Sequence, residues 1–520
     1  MANDNLYALI EQRMPADRSA PCLQVPGAGD VSWDELHQGV GRIASMLAGL
    51  GIAPGSRLAA QVEKSPQALM LYLATLRSGL VYVPLNVAYQ EAELRHFIGD
   101  SQPAVVVASP QRLPLVESLA RGAGGATCYS LDERAGGTLW PAAAACGGDF
   151  ATVQRDARDP AVIVYTSGTT GRSKGAALSH GNLASSALTL DEFWGFRERR
   201  ERGGRDVLLH ALPLFHVHGL LVACHAALVS GSSMIFMPRF EVGQTLRYLP
   251  GSTVMMGVPT YYTRLLQEPA FDAQACASIR LFVSGSAPLL PETFEAFRQR
   301  TGHTLLERYG MSETMMLASN PYFGDPARDR IAGTVGQALP GVRIRISRPD
   351  GTPAAVGEVG QVEVRGPNVF SGYWRLPEKT REDFAPDGFF RTGDLGCFGA
   401  NGAPPSYLTL VGRSKDLIIT GGYNVYPKEV EGYLDAVPGV VESAVVGLPH
   451  PDFGEAVCAF VVVAPTIEVD TVRVIGELKA HIAGFKVPKR IWCVKELPRN
   501  AMGKVQKNVL RQQYAQTFEG

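Results

Sequence analysis

A segment rich in hydroxyl and glycine residues, Thr166 to Gly175, directly follows an apolar run at 161–165. Glycines let a backbone turn tightly and present its N–H groups, and the hydroxyls and the Lys174 ammonium add further donors. Together these groups would bind an anion such as a phosphate. The Gly-Lys-Ser/Thr ending of a Walker A loop is missing, so the segment predicts a phosphate loop of another kind.

Further motifs with chemically useful side chains follow along the chain. They are Pro213-Leu-Phe-His216, Tyr309-Gly-Met-Ser-Glu-Thr314, Thr392-Gly-Asp394, Gly412-Arg413 with the later Gly421-Gly422, and Pro498-Arg-Asn-Ala-Met-Gly-Lys504. The carboxylate of Glu313 suits Mg²⁺, which prefers hard oxygen ligands. A lysine on a glycine-containing loop, such as Lys504, can bring a mobile positive charge to a transition state.

These motifs, in this order, resemble the adenylate-forming superfamily, which includes acyl-CoA synthetases, adenylation domains and luciferases. The resemblance extends from about Ser32 to Arg511 and implies an AMP-forming acid–thiol ligase that uses ATP, Mg²⁺ and coenzyme A. In that reaction a carboxylate attacks the α-phosphate, pyrophosphate leaves, and a thiol then takes the acyl group from acyl-AMP. Because negative charge builds up on phosphoryl oxygens, the enzyme needs positioning and cations more than a covalent nucleophile.

The resemblance implies roles for individual residues. It implies Lys504, Glu313 and His216 as catalytic residues, and Glu313 with Thr166 as ligands of Mg²⁺. Asp394 would accept hydrogen bonds from the ribose hydroxyls, and Tyr309 would stack on the adenine. The residues implied in binding ATP or AMP are Thr166, Ser167, Gly168, Thr169, Thr170, Gly171, Lys174, Ser286, Ala287, Pro288, Glu307, Arg308, Tyr309, Gly310, Met311, Ser312, Thr314, Asp394 and Arg413.

The choice of acid is expected to depend on 257–264 and 283–289, which should flank the acyl pocket. Within the superfamily these segments resemble those of malonyl-CoA synthetases, in which an arginine holds the distal carboxylate. Arg264 stands at the matching place, and a guanidinium can bind a carboxylate in bidentate fashion. His216 and Ser286 are further acid-binding candidates. The prediction is therefore a dicarboxylic acid, malonate, with methylmalonate as a second substrate.

Several alternatives stay open. A medium-chain or aryl acyl-CoA synthetase would share every nucleotide motif, and a carrier-protein loader would share most of them, although no carrier domain is visible. A nucleotide-dependent kinase would release ADP instead of AMP and pyrophosphate. A non-catalytic nucleotide-binding module is disfavoured because Glu313, Asp394 and Lys504 are all present.

The elements that must position these residues follow an α/β pattern. Strand-like runs occur at 161–165, 207–211, 233–237, 253–258 and 281–284. Helical patterns such as Pro291–Thr301 separate them, which predicts doubly wound, mostly parallel sheets. After Gly333 the pattern is β-rich. A helix is also predicted from Trp33, with Leu36, Val40, Ile43, Ala44 and Leu47 on one face. The mixed-charge run 197–205 is predicted to be a solvated loop.

The domain prediction follows from these patterns and the resemblance. Residues 1–412 form a large adenylation domain, 413–416 a hinge that includes Lys415, and 417–520 a small, mobile α+β domain. In the small domain one helix should bury Val472, Ile475, Leu478 and Ile482. The resemblance implies that Gly421 and Gly422 line the tunnel for the pantetheine arm of coenzyme A.

Composition excludes several other classes of protein. The chain has 520 residues, of which 46% are hydrophobic, and a formal net charge of −1. General disorder is excluded, and there is no basic excess to favour nucleic acid. No apolar stretch reaches the roughly 18 residues of a membrane span. The eight cysteines form no CxxC pair, and the first residues lack the features of a signal peptide, so we predict a cytoplasmic enzyme.

Overall fold

A computed structural model describes residues 3–166, 173–420, 423–465, 467, 469–482, 484–500 and 503–518. The predicted phosphate-loop residues 167–171 and the tunnel glycines 421 and 422 lie outside these residues. The chain divides into two compact units. The first comprises 1–343 and 364–390, and the second comprises 344–363 and 391–520. The domain boundary at 412 and the hinge at 413–416 stay predictions.

The helices are spread over both units. Their bounds are α1 (Leu6–Arg13), α2 (Trp33–Gly49), α3 (Pro66–Arg77), α4 (Glu91–Ser101), α5 (Leu113–Gly122), α6 (Leu139–Ala144), α7 (His180–Phe193), α8 (Phe196–Glu201), α9 (His225–Ser230), α10 (Val242–Tyr248), α11 (Pro259–Leu266), α12 (Pro291–Thr301), α13 (Pro326–Asp329), α14 (Pro377–Asp383), α15 (Pro427–Asp435), α16 (Thr471–His481) and α17 (Lys507–Gln513). A π-helix at His218–Cys224 leads directly into α9.

The strands are mostly short. Their bounds are β1 (Pro21–Val25), β2 (Gly29–Ser32), β3 (Arg57–Gln61), β4 (Val81–Pro84), β5 (Val105–Ala108), β6 (Thr127–Ser130), β7 (Pro160–Thr166), β8 (Lys174–Ser179), β9 (Val207–His210), β10 (Ser233–Phe236), β11 (Val254–Gly257), β12 (Leu281–Ser284), β13 (Leu306–Met311), β14 (Met315–Ser319), β15 (Gln337–Ala338), β16 (Arg343–Ser347), β17 (Gly360–Arg365), β18 (Gly372–Tyr373), β19 (Phe390–Phe398), β20 (Leu408–Arg413), β21 (Ile418–Thr420), β22 (Tyr423–Val425), β23 (Val440–His450), β24 (Gly454–Val463) and β25 (Arg490–Val494).

The first unit contains two large mixed sheets. One has the strand order β15-β14-β13-β12-β11-β9-β10-β1-β2, and the other has β18-β8-β7-β4-β3-β5-β6. Neighbouring strands from β10 to β13 pair in parallel, as do those from β7 to β6 in the second sheet. Helices alternate with these strands along the chain, so the predicted α/β, doubly wound architecture is confirmed.

Helix α2 shows how the local sequence sets an element. The side chain of Ser32 accepts a hydrogen bond from the Glu35 N–H at 3.1 Å, and the Glu35 carboxylate accepts one from the Ser32 N–H at 2.7 Å. This capping box satisfies donors that a helix start leaves free. All five predicted residues of its apolar face are buried. The burial of that face confirms the sequence prediction.

An apolar core lies beside strands β9, β11 and β12. Tyr262 of α11 and Phe282 of β12 are almost fully buried there with Phe297 of α12. Edge-on ring contacts join Tyr262 and Phe282 to Phe297, with ring centroids 5.5 and 5.0 Å apart. Interiors this closely packed fix the strands, and therefore the residues that follow their carboxyl ends.

The second unit is α+β, as predicted for the C-terminal part. It contains the sheet β16-β17-β19-β20 and the sheet β22-β21-β24-β23, with β25 parallel to β24. The predicted apolar face of α16 was partly wrong, because Val472 is 78% exposed and Val474 is buried. Val474, Leu478 and Ile482 follow one another at four-residue steps, which is the spacing of one helical face.

The run 197–205 also differs from its prediction. Its first part forms helix α8, and Arg200 makes two hydrogen bonds of 2.9 and 3.0 Å with the fully buried Asp191. These contacts make 197–200 part of the packed structure, whereas residues 201–203 and 205 are exposed, so the prediction of a solvated loop holds only for the second part of the run. Separately, none of the helices in the described ranges is long and apolar enough to cross a membrane.

Candidate active site

Several of the predicted site residues of the first unit follow the carboxyl ends of β9, β11 and β12. The segment after β9 carries His216, the segment after β11 enters α11, and the turn after β12 carries Ser286. These three strands are parallel neighbours, so their carboxyl ends lie at one edge of the sheet. In open α/β sheets this edge is where ligands bind.

A buried guanidinium is the main electrostatic feature of this edge. Arg308 on β13 is 5% exposed, and its Nε and Nη2 are buried without a hydrogen-bond partner among the described residues. Burial lowers its pKa from the usual 12.5 to about 10, so it remains a cation at neutral pH. An unpaired buried charge is costly unless something compensates it. The site is therefore suited to an anion.

Two histidines and a serine accompany Arg308, and we call these four residues, His216, His218, Ser286 and Arg308, the arginine cluster. Ser286 Oγ and His218 Nδ1 lie 3.2 Å apart, and the His218 N–H donates to His216 Nδ1 at 3.2 Å. Desolvation, and then the charge of Arg308, lowers the pKa of His216 to about 3. His216 is thus neutral, with Nδ1 used as an acceptor, so its Nε2–H is available as a donor.

The turn after β12 is shaped around the guanidinium. A Cβ added to Gly285 would lie 2.5 Å from Arg308 Cζ, so any other residue here would displace the guanidinium from its observed position. The next residue, Ser286, has a φ of +71°, in the left-handed region that costs a non-glycine residue energy. Strained residues of this kind cluster at binding and catalytic sites, and the Ser286 hydroxyl here contacts His218 Nδ1.

A second group surrounds Glu313, in the turn between β13 and β14, and we call it the Glu313 cluster: Thr166, Lys174, Glu313, Tyr373 and Asp383. Thr166 Oγ1 and the Tyr373 hydroxyl each donate to Glu313 Oε1 at 3.3 Å. Lys174 Nζ lies 4.3 Å from the centre of the Tyr373 ring and 3.6 Å from Asp383 Oδ2. The predicted magnesium carboxylate and the predicted phosphate-loop lysine are thus joined through Tyr373.

The pair Glu313 and Thr166 fits the ligand chemistry of Mg²⁺. Two adjacent ligands of an octahedral magnesium at ~2.1 Å lie about 3 Å apart, close to the 3.3 Å observed between these oxygens. Magnesium usually takes one or two protein oxygens and completes its shell with phosphates and waters. The described residues contain no group of three or more His, Cys, Asp or Glu side chains that could hold a metal.

The remaining predicted nucleotide residues of the first unit lie on β13, β14 and the turn after β12. Tyr309 is 7% exposed and pairs with Ala318 across the hairpin. Glu307 Oε1 accepts a hydrogen bond from the Leu289 N–H at 3.2 Å, which braces the turn that carries Ala287 and Pro288. Gly310, Met311 and Ser312 are half-buried, and Thr314 is fully buried.

Arg264 lies outside the arginine cluster. It is exposed on α11, two residues after the fully buried Tyr262, whose hydroxyl donates to the Val283 carbonyl at 2.6 Å. Two residues turn a helix by about 200°, so Arg264 is on the face opposite to Tyr262. The acid-binding role of Arg264 stays a prediction, and the buried cation beside His216 and Ser286 is Arg308.

In the second unit, the predicted ribose residues form an ion pair. Arg413 Nε lies 2.7 Å from Asp394 Oδ1, because the two residues are paired across β19 and β20. The charges of Asp394 and Arg413 both influence the pKa of Lys504. Desolvation and then the charge of Arg413 lower this pKa below the usual range. Lys415 is exposed in a short turn beside Asp416, which pairs with Arg511 at 3.0 Å. Lys504 is itself exposed, and the charges of Arg413 and Asp394 influence it without a direct contact among the described residues.

Comparison with known proteins gives the family. Residues 10–374 match the AMP-binding enzyme family, and 429–504 match the AMP-binding enzyme C-terminal domain. The chain belongs to the AMP-binding enzyme family. It is 36% identical to the malonate–CoA ligase of Arabidopsis thaliana over 498 residues, covering 89% of this chain and 79% of that protein.

Two further relatives match this AMP-binding enzyme over nearly its whole length. The sulfoacetate–CoA ligase of Cupriavidus necator is 35% identical, covering 97% of both chains. The crystal structure of ATP-bound MatB from Rhodopseudomonas palustris superposes with a TM-score of 0.94 at 49% identity, covering 99% of this chain and 100% of that one. The protein is therefore an AMP-forming acid–thiol ligase with the acyl-CoA synthetase fold, and the kinase and non-catalytic alternatives are excluded.

Sequence reasoning on this AMP-binding enzyme missed several residues of the clusters. His218 could have been found, since it follows His216 in the run His216-Val-His218. Tyr373 and Asp383 had no such signal, because they approach Lys174 only through the pairing of β18 with β8, about 200 residues apart in sequence. The sequence likewise could not show that Arg308 Nε and Nη2 lack a hydrogen-bond partner among the described residues, because that depends on how the chain folds.

Proposed function

We propose that this acid–thiol ligase acts on malonate, with methylmalonate as a second substrate, and converts it with ATP and coenzyme A into the CoA thioester. The observation that carries the proposal is the buried guanidinium of Arg308, whose Nε and Nη2 are buried with no hydrogen-bond partner in the part of the chain that the structure describes. A dicarboxylate offers one carboxylate for activation and a second one for this cation.

The chemistry of the arginine cluster supports a dicarboxylate over a monocarboxylate. A guanidinium binds a carboxylate through two parallel N–H···O bonds, and its Nε and Nη2 are the pair that such a fork uses. His216 Nε2–H and the Ser286 hydroxyl could add neutral donors to the same anion. Acetate or butyrate would leave Arg308 desolvated and unpaired, which is the kind of mismatch that a binding site rejects strongly.

In the proposed reaction, the free carboxylate of malonate attacks the α-phosphorus of ATP, and the bond to pyrophosphate breaks. Lys504 would stabilise the charge on the phosphoryl oxygens, and Asp394 with Arg413 would hold the ribose. Glu313 and Thr166 would hold Mg²⁺, which supplies further charge to the phosphates. The thiol of coenzyme A then attacks the acyl carbonyl, and AMP leaves. A rotation of 417–520 about Lys415 would separate the two half-reactions.

The named substrates of two relatives are consistent with this proposal. Malonate and sulfoacetate both carry a second anionic group beside the carboxylate, which is the feature that Arg308 would recognise. An aryl or medium-chain acid remains the alternative, since an indoleacetate–CoA ligase is also 34% identical. No described residue of the arginine cluster favours an apolar acyl chain.

The test measures products and acid range together. The enzyme is incubated with ATP, Mg²⁺, coenzyme A and one acid from a panel of malonate, methylmalonate, sulfoacetate, acetate, butyrate and indoleacetate. We expect AMP, pyrophosphate and the thioester to form in equal amounts, fastest with malonate. Preference for butyrate or indoleacetate would refute the dicarboxylate proposal.

A further inference from the structure

Tyr373 occupies a position between two residues that the AMP-binding enzyme needs for ATP. Its hydroxyl donates to Glu313 Oε1 at 3.3 Å, and its ring face lies 4.3 Å from the Lys174 ammonium. The side chain is 8% exposed, so both contacts are largely shielded from water. A hydrogen bond to a carboxylate and a cation–π contact are both stronger when desolvated.

Backbone pairing fixes Tyr373 in this place. Strand β18 pairs antiparallel with β8, with Tyr373 opposite Ala176, and the Trp374 N–H donates to the Gly175 carbonyl at 2.7 Å. The Tyr373 N–H donates to Thr380 Oγ1 at 2.9 Å, which ties it to α14. Tyr373 is therefore held against the start of β8, where Lys174 emerges.

Asp383 completes the surroundings of the tyrosine. Its Oδ2 lies 3.6 Å from Lys174 Nζ, and its Oδ1 lies 2.9 Å from Lys379 Nζ. Burial, and then the carboxylates of Glu313 and Asp383, raise the pKa of Tyr373 above its usual range. A phenol is protonated at neutral pH in any case, so the Tyr373 hydroxyl is a hydrogen-bond donor to Glu313.

We propose that Tyr373 is a positioning residue of the ATP site: its hydroxyl orients Glu313 towards Mg²⁺ and its ring holds Lys174 beside the phosphates. This inference rests on the proposed function for its ATP and magnesium. It separates two roles in one side chain, because phenylalanine removes the contacts of the hydroxyl with Glu313 and Asp383, whereas leucine also removes the ring contact with Lys174.

The test measures binding of ATP by calorimetry, without acid or coenzyme A. With Mg²⁺ present, Tyr373→Phe should bind ATP about fivefold more weakly than the wild type, as expected for one lost hydrogen bond. In EDTA the two proteins should bind ATP alike, because Glu313 acts through the metal. Tyr373→Leu should remain weaker than Tyr373→Phe in both conditions, since the ring contact with Lys174 needs no metal.

Two further sets of variants separate positioning from general stability. In a Glu313→Gln background Tyr373→Phe should change the affinity less than twofold, and in a Lys174→Met background leucine and phenylalanine should become equivalent. The matched control is Tyr72→Phe, which also loses a buried hydroxyl contact, of 2.7 Å to His225 Nε2, on α3. It should leave the affinity for ATP unchanged.

The outcomes are distinct. An equal loss for Tyr373→Phe with and without Mg²⁺, or an unchanged affinity in both conditions, would overturn this inference while leaving the proposed function intact. A loss that Tyr72→Phe reproduces would reduce Tyr373 to a structural residue and would also overturn it. A wild-type protein that failed to bind ATP would overturn the proposed function together with the inference.

Discussion

Two regions of the protein differ in whether a positive charge is paired. They are the arginine cluster of the first unit and the Asp394–Arg413 pair of the second unit. Arg308 is 5% exposed, and two of its N–H-bearing nitrogens have no partner among the described residues. The Arg413 side chain is 29% exposed and lies 2.7 Å from the Asp394 carboxylate. Within the described ranges one cation is buried without a counter-charge, whereas the other is paired within its own sheet.

This difference indicates which region requires a ligand. A buried, unpaired guanidinium raises the free energy of the folded state, and an incoming anion would remove that cost. A paired arginine needs no ligand to be stable, so it can hold its carboxylate in a fixed orientation for a ribose. The first region is therefore expected to decide which acid binds, and the second to position what every member of the family binds.

The largest effect is expected at Lys504, the predicted catalytic cation of the second unit. Lys504→Ala should slow acyl-AMP formation by roughly 10²–10³-fold, because one charge-stabilising donor is lost. Thioester formation from supplied malonyl-AMP should change far less. Half-reaction rates measured by rapid quench check this, with the exposed Lys495→Ala as control. Equal losses in both half-reactions would contradict the assignment.

Replacing each arginine by methionine tests the comparison itself. Arg308→Met should raise the free energy of unfolding by about 1–3 kcal/mol, because it removes a buried, unpaired charge at similar volume. Arg413→Met should lower it by about 1 kcal/mol, since it leaves Asp394 without its partner and the pair is partly solvent-screened. Denaturant unfolding measures both changes. Effects of the same sign would remove the distinction between the two regions.

A smaller effect is expected at the predicted hinge. Lys415→Pro should spare acyl-AMP formation and slow thioester formation about tenfold, because proline restricts φ at a position that must adopt two backbone states. The same half-reaction assays measure this, with Lys495→Pro as the control for a proline elsewhere in the second unit. Unchanged rates in both steps would place the hinge at another residue.

Lys64 is a case between the unpaired Arg308 and the paired Arg413, and its replacement is expected to have the smallest effect on stability. It is a buried amine that contacts His210 Nδ1 at 2.6 Å and the His210 carbonyl at 2.7 Å, with Cys224 nearby, and burial lowers its pKa to about 7. Keeping the buried Lys64 protonated costs folding free energy below pH 7. Above pH 7 the folded protein releases this proton while the unfolded chain keeps it, so the cost falls as the pH rises.

Lys64→Met should therefore stabilise the protein most below pH 7. Its advantage over the wild type should shrink by about 1 kcal/mol between pH 7 and pH 8. Parallel denaturant titrations at pH 6, 7, 8 and 9 measure the difference. An advantage independent of pH would show that Lys64 keeps its proton in the folded protein up to pH 9, and would contradict the lowered pKa.

Sequence reasoning was most successful where the signal is local. The bounds of β12 and α12 agree with their prediction, because an apolar run and a proline at the first helical turn mark them directly. The motif residues of the Glu313 cluster were found for the same reason. Their donors and acceptors come from short stretches whose residue types state the chemistry.

Tertiary contacts explain what sequence reasoning missed. Val472 follows a plausible apolar period on α16, yet the core of the second unit takes Val474 instead. Arg264 matched a family pattern, but nothing in the sequence says that α11 exposes it while β13 buries Arg308. A missing counter-charge cannot be recognised from one strand alone, since it depends on every neighbouring segment.

The most direct test of the account compares Arg308→Met with Arg264→Ala. The quantity is kcat/KM for malonate and for butyrate, each measured at saturating ATP and coenzyme A. If Arg308 holds the second carboxylate, Arg308→Met should lose roughly 10²-fold or more with malonate and little or nothing with butyrate. Its KM for ATP should change much less than its KM for malonate, and Arg264→Ala should show the smaller loss with malonate. An Arg308→Met enzyme that retains malonate activity, or that loses malonate and butyrate activity equally, would contradict the account.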